Sequence, residues 1–178
     1  MLHKTSNSLA GGVSKTDSCD AQTDVPARYN WVSAISSVMD VANAMMTPTY
    51  AANGSVNVSP YSFTRLTTRA SETLENDGLG NPTQNGTGLI RSAFRPSDDA
   101  TIYQLFIPAN MMFSRYLASA AQIISQLGNQ AALATEMNNL ASSLRNAITA
   151  HGIVGSTNYG QVYAYEVDGY DSRNIMDE

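Results

Sequence analysis

Leu133, Met137, Leu140, Leu144 and Ile148 recur at steps of 4, 3, 4 and 4. Only an α-helix puts residues so spaced on one face, so this run predicts an amphipathic helix with a single apolar stripe. Directly before it lies a second helical run, starting at Pro108, whose missing N–H costs nothing in a first turn. Met111, Met112, Tyr116, Leu117, Ala120, Ile123, Ile124 and Leu127 make it apolar nearly all round, as expected of a deeply packed helix. Gly128 falls at the usual C-terminal glycine position, and Asn129 is placed to cap the next helix. So short a connection predicts an antiparallel αα-hairpin. A further helix is expected from Trp31, with Trp31, Ile35, Val38, Met39, Ala42, Met45 and Met46 on one stripe. Asn30 is its expected cap and Thr47-Pro48 its stop, because the residue before proline is pushed out of the α region. The Met45-Met46 pair reads as core filling rather than as a ligand or partner surface.

Composition narrows the function classes. At 178 residues the chain suffices for one domain with a buried core. Charged residues make up 14% and the formal net charge is −5, with no basic run, which argues against non-specific nucleic-acid binding. No apolar stretch is long enough to span a membrane. Cys19 is the single cysteine, which excludes an intramolecular disulfide and every multi-cysteine metal site. His3 and His151 are the only histidines. His151 falls at a helix end, where it can favour the negative pole of the dipole, so histidine chemistry is not expected. No metal site and no cofactor are predicted.

Two regions break the helical pattern. Residues 49–97 are punctuated by Gly54, Pro60, Gly78, Gly80, Pro82, Gly86 and Gly88. A connection of this length, if ordered, tends to be functional. Within it, Tyr61-Ser62-Phe63-Thr64-Arg65 reads as a short extended piece and Asn76-Asp77-Gly78 as a turn. Gln161 to Tyr170 alternates like a short strand with Glu166 and Asp168 on one face. Residues 1–28 show no sustained period and are expected to be disordered. They lack the charged and apolar pattern of a secretory signal. Asn53 and Asn85, with Asn57 as a weaker case, begin glycosylation sequons, which matter only in a secretory setting; the compartment is otherwise open.

With histidine, cysteine and metal clusters set aside, carboxylates remain: Asp98, Asp99, Glu166, Asp168, Asp177 and Glu178. Asp98-Asp99 follows a proline-fixed turn, Arg95-Pro96-Ser97, and precedes the apolar run Leu105-Phe106-Ile107. In isolation such a pair reads as a helix cap. Carboxylates alone also suffice for glycoside hydrolysis, one donating a proton to the leaving oxygen and another activating water. Two neighbours in sequence cannot be both members of an inverting pair, whose carboxyl groups lie roughly 6.5–9.5 Å apart across the substrate. A partner must come from elsewhere in the fold. Tyr61, Phe94, Tyr103, Tyr163 and Tyr165 offer aromatic faces for a sugar ring, or serve packing.

Several segments, in order, resemble glycoside hydrolase family 125, the exo-α-1,6-mannosidases and their meiotically up-regulated fungal homologues. They are Tyr61-Ser62-Phe63-Thr64-Arg65, Asn76-Asp77-Gly78-Leu79-Gly80-Asn81-Pro82, and Phe94-Arg95-Pro96-Ser97-Asp98-Asp99 with Ile107-Pro108-Ala109-Asn110-Met111. Tyr163-Ala164-Tyr165-Glu166-Val167-Asp168-Gly169 and Asn174-Ile175-Met176-Asp177 complete the series. The resemblance covers residues 29–178 and implies an all-α fold, an (α/α)6 barrel of the six-hairpin glycosidase type, present as a fragment incomplete at both ends. It implies an inverting, metal-independent mechanism with one of Asp98 and Asp99 as general acid and the base in a part of the family fold outside this chain. It implies an α-mannoside oligosaccharide or N-glycan-derived substrate. Arg65, Asn76, Asp77, Arg95, Ser97, Glu166, Asp168 and Asp177 would line the sugar subsite. Three helices of a twelve-helix barrel cannot close it, so the chain alone is expected to be inactive. The competing reading is a non-enzymatic helical interaction module, or a decayed gene product, in which the aspartate pair only caps a helix.

Overall fold

A computed structural model describes residues 29–127 and 129–175. Its longest elements are three helices: α1 (Tyr29–Ala44), α2 (Ile107–Ser125) and α3 (Ala131–His151). Helix α1 begins two residues before Trp31, so Asn30 lies inside its first turn and not ahead of it. Beyond Ala44 the chain tightens, with Met46 N–H donating to Asn43 O and Thr47 N–H to Ala44 O before Pro48 ends it.

Helices α2 and α3 form the expected antiparallel hairpin. Met39 of α1, Leu117, Ala121 and Ile124 of α2, and Ala134, Met137 and Ala141 of α3 make one buried cluster. Small alanines at 121, 134 and 141 let the helices approach closely, while Met137 and Ile124 fill the seam. The stripe sits slightly differently from the one read in the sequence: Met137, Leu144 and Ile148 are buried, but Leu133 and Leu140 only half so. Residue 130, not Asn129, is the N-cap of α3, and Gln130 makes no side-chain capping bond. His151 and Gly152 close the helix as expected.

Helix α2 is not enclosed all round. Met112 is 60% and Tyr116 68% exposed. Among the described residues nothing packs across that face. Met112 and Phe113 instead form one wall of an apolar groove, with Val38, Val41 and Met45 of α1 opposite.

An all-α description omits two small antiparallel sheets. One is a hairpin of β2 (Ile153–Ser156) and β3 (Gly160–Tyr163), paired from Ile153↔Tyr163 to Ser156↔Gly160. The other has strand order β1-β4-β5, from Leu105–Phe106, Glu166–Val167 and Arg173–Asn174. The expected single strand over 161–170 is therefore two strands in different sheets, because Ala164-Tyr165 carries the chain from one to the other. In this passage Ala164 N–H donates to Gly152 O and Tyr165 N–H to Asn174 O. The extended piece at 61–65 is no strand, although Phe63 N–H donates to Gly78 O and Leu74 N–H to Phe63 O. A second buried cluster, Leu89, Leu105, Ile107, Ala147, Ile148, Ala164 and Val167, joins the C-terminal half of α3 to the sheet and the loops.

The long loop region is pinned by buried polar groups. Asn110, in the first turn of α2, donates through Nδ2 to Phe106 O and Ile90 O, while its Oδ1 accepts from Ile90 N–H. One side chain thus ties a helix start to the loop beside it and pairs both backbone groups of Ile90. No helix among the described residues is long and apolar enough to cross a membrane.

Candidate active site

Asp98 and Asp99 do not cap a helix. Phe94 and Ala100 form an antiparallel bridge, Arg95 N–H donates to Asp99 O at 2.8 Å, and Asp98 N–H donates to Arg95 O at 3.0 Å. This is the pattern of a three-residue hairpin turn, Pro96-Ser97-Asp98, whose last residue is left-handed. Asp98 takes that role with φ 68°, a conformation aspartate tolerates better than most side chains. Pro96 fixes φ at the first turn position. The proline that suggested a helix start therefore builds a tight turn, which holds two consecutive carboxylates at a loop tip.

The turn is fixed at both shoulders. Arg95 and Glu166 form a buried ion pair: Nε donates to Oε1 at 2.7 Å and Nη2 to Oε2 at 3.2 Å. The guanidinium also lies 5.5 Å from the centre of the Tyr165 ring, and Tyr165 packs edge-on against Phe106. On the far shoulder Ile102 N–H and Tyr103 N–H both donate to Glu166 Oε2, at 3.0 and 3.1 Å. Ala100 N–H donates to Ser71 O, which brings the 63–73 loop alongside.

That neighbouring loop and the turn enclose a cleft of about 420 Å³ lined by Phe63, Arg65, Arg69, Glu72, Phe94, Ser97, Asp98 and Asp99. Phe63 and Phe94 meet edge to face at 5.2 Å in its lining. Arg65 is held in place by Glu72, its Nη2 donating to Oε2 at 2.6 Å, and the Thr67 hydroxyl donates to the same oxygen. The Thr67 hydroxyl first, and the Arg65 guanidinium second, hold the Glu72 carboxyl below its ordinary value of 4.5. A second cleft of about 400 Å³ opens on the other side of the turn, lined by Glu75, Asn81, Arg95, Asp99 and Thr101 among others. Asp99 lines both clefts and Asp98 only the first. No hydrogen bond or ion pair engages either aspartate side chain among the described residues, so both are available to a ligand.

Of the residues singled out in the sequence, the fold gathers Arg65, Ser97, Asp98 and Asp99 around one cleft and sets Arg95 beneath the turn. Asn76 and Asp77 line neither cleft. They occupy consecutive left-handed positions, φ 53° and 55°, and Asn76 Nδ2 donates to Gly80 O. Glu166 is fully buried, and its two oxygens accept the bonds already described. Asp168 is also buried: its Oδ1 accepts from Tyr170 N–H at 2.7 Å and Ser172 N–H at 3.1 Å, closing the turn before β5. Asp177 and Glu178 lie outside the described residues, as do His3 and Cys19. Of Tyr61, Phe94, Tyr103, Tyr163 and Tyr165, only Phe94 lines the cleft, where it is joined by Phe63; Tyr165 packs in the frame below it. Sequence reading missed Glu72 and Arg69. Glu72 lies seven residues from Arg65, a spacing that pairs side chains only along a helix, and this stretch of loop is not one.

A turn that carries two carboxylates, unpaired among the described residues, into an arginine- and phenylalanine-lined cleft has the parts of a carbohydrate-processing site. The comparisons agree with that class. The chain belongs to the family described as metal-independent alpha-mannosidase (GH125), whose model matches residues 9–178. It is 39% identical over 149 residues to the meiotically up-regulated gene 157 protein of Schizosaccharomyces pombe, covering 83% of this chain and 29% of that protein. Its fold is similar to a solved metal-independent α-mannosidase of Streptococcus pneumoniae, in a non-productive complex with α-1,6-mannobiose. There the TM-score is 0.71 at 30% identity, over 83% of this chain and 33% of the solved one. The chain thus spans about a third or less of the length of these relatives.

Proposed function

We propose that this chain carries the general-acid side of an exo-acting, inverting α-1,6-mannosidase, within what is in full an (α/α)6 barrel. The observation that carries this reading is the Pro96-Ser97-Asp98 turn, which presents Asp98 and Asp99, unpaired among the described residues, to a cleft shared with Arg65. One of the two aspartates donates a proton to the leaving glycosidic oxygen. Arg65 and Ser97 bind sugar hydroxyls, and Phe94 gives the ring an apolar face. Asn76, Asp77, Arg95, Glu166 and Asp168 shape the loops around that subsite, and Asp177 belongs to the same sugar-binding series. Inversion needs a second, ionised carboxylate across the sugar to activate water. Glu72, the other carboxylate of the cleft, is committed to Arg65 and Thr67. The base is therefore assigned to a residue beyond those described, and this chain by itself binds mannoside without turning it over.

Titration of the ¹⁵N-labelled chain with α-1,6-mannobiose tests the reading. Shifts of the Arg65, Ser97, Asp98 and Asp99 amides are expected, with no release of mannose. Absence of any shift at that cleft would refute the assignment. Robust hydrolysis by the 178-residue chain would refute the split between acid and base. In a protein that contains both carboxylates, Asp98→Asn and Asp99→Asn made separately identify the acid. The true acid loses about 10²–10⁴-fold of activity, and most on substrates with poor leaving groups.

A further inference from the structure

Glu166 makes no contact with either cleft beside the aspartates, yet it is bonded to both ends of the segment that carries them. It sits in β4, the middle strand of the three-stranded sheet, and is wholly buried. Oε1 accepts from Arg95 Nε, at the residue that opens the turn. Oε2 accepts from Arg95 Nη2 and from the backbone amides of Ile102 and Tyr103, just after the turn closes. Every one of these partners is a donor. An ionised carboxylate suits them because it is acceptor-only, with room for about four hydrogen bonds. An amide of identical shape offers a single acceptor oxygen and must point its NH₂ either at Arg95 Nε or at Arg95 Nη2 and the two backbone N–H groups. Glutamine therefore never keeps all four bonds: in either orientation it breaks the Arg95 fork and sets a donor against a donor.

We propose that Glu166 is a positioning residue. From the rigid centre of the sheet it sets the height and orientation of the Asp98-Asp99 turn, through the Arg95 fork on one side and the Ile102 and Tyr103 amides on the other. It does not touch substrate. This assignment rests on the reading of the turn as the acid side of a mannosidase for its functional meaning, but its structural content can be measured without it. The Arg95 fork matters for geometry as well as charge, because a planar bidentate pair fixes an angle that a lysine ammonium would leave free.

Amide hydrogen exchange on the full 178-residue chain, with Glu166→Gln and Arg95→Lys variants, tests this directly. In E166Q the amides of Asp98, Thr101, Ile102 and Tyr103 are expected to exchange at least about tenfold faster. Amides of α3 between Met137 and Ile148 should stay within about twofold, since opening of the turn is local. R95K keeps a positive charge beside Glu166 but loses the fork. It should expose the Asp98 amide alone and leave Ile102 and Tyr103 protected, a split that general loss of stability cannot produce. Mannobiose affinity, read by the same spectra, should fall at least about tenfold in E166Q, on the scale of one misplaced hydrogen-bonding group. Unchanged exchange in the turn with lost mannobiose binding would overturn the proposal and make Glu166 a sugar ligand. Equal loss of protection in the turn and in α3, for both variants, would also overturn it. If wild-type chain binds no mannobiose while the turn opens selectively in both variants, the positioning role stands and the mannosidase reading of the turn fails.

Discussion

The α2–α3 hairpin and the loop frame around Asp98-Asp99 are held by different physics. In the hairpin, Leu117, Ile124, Met137 and Leu144 bury apolar surface with no directional demand, at about 25 cal/mol per Å². Many apolar residues of similar volume would serve there. The loop frame has an apolar cluster of its own around Leu89, Leu105 and Val167, but its course is specified by particular polar atoms: Asn110 on Ile90, Glu166 on Arg95, Asp168 on Tyr170 and Ser172. Those bonds add little net energy when made but cost a great deal when one partner is removed. The hairpin thus tolerates substitution of kind but not of volume, and the frame the reverse. A candidate site built on the second sort of structure is precise, yet depends on single residues.

Substitutions can break that contrast. The largest effect is expected in the hairpin, where Leu144→Ala leaves a cavity at a fully buried position and should cost about 2–5 kcal/mol in urea unfolding. Leu144→Met should cost less than about 1.5 kcal/mol; a larger cost would show that the hairpin, too, demands identity. In the frame, Asn110→Ala removes three hydrogen bonds and leaves Ile90 N–H without its partner, for about 1–3 kcal/mol. Asn110→Leu, similar in volume, should fare no better, and rescue by leucine would erase the distinction. Gly78→Ala is expected to cost about 1–3 kcal/mol. Its φ is +86°, and a β-carbon would lie 2.9 Å from the Phe63 carbonyl. If Gly78→Ala melts like the parent chain, the loop is softer than its bonding suggests.

The smallest effect is at Glu72. Its carboxyl is held below the ordinary 4.5 in the folded chain, by Thr67 and then Arg65. The folded form therefore binds this proton less tightly than the unfolded form, and the contribution is fully present above the unfolded value. It is lost as pH falls from about 4.5 through the lower folded value. A ¹³C titration of the Glu72 carboxyl should show its midpoint below 4.5, moving upward in Thr67→Val. A midpoint at or above 4.5 would remove Glu72 as the anchor of Arg65.

The sequence exposed the hairpin because periodicity is a local signal: each residue of α3 announces its face through neighbours three and four places away. It also located the Asp98-Asp99 segment, Arg65 and the Asn76-Asp77-Gly78 turn. It misread how the aspartate pair is built, since Pro-Ser-Asp-Asp fits a helix start and a three-residue turn equally well, and the choice lies with Phe94 and Ala100 pairing across it. It took α2 for a helix covered all round, because apolar content tells nothing about which neighbours are at hand. Glu166 was legible as a carboxylate worth attention. Its role was not, because its partners Arg95, Ile102 and Tyr103 are 63 to 71 residues away in the chain.

What the sequence by itself determined is the set of elements and the chemistry on offer: three helices, a long glycine-punctuated loop, and carboxylates in place of histidine, cysteine or metal. These follow from short-range sterics and from composition. Only the tertiary structure decided which carboxylates face a cleft and which are buried as struts. That sorting depends on which donors meet each oxygen across long stretches of chain, and burial turns the same side chain from a reagent into a support.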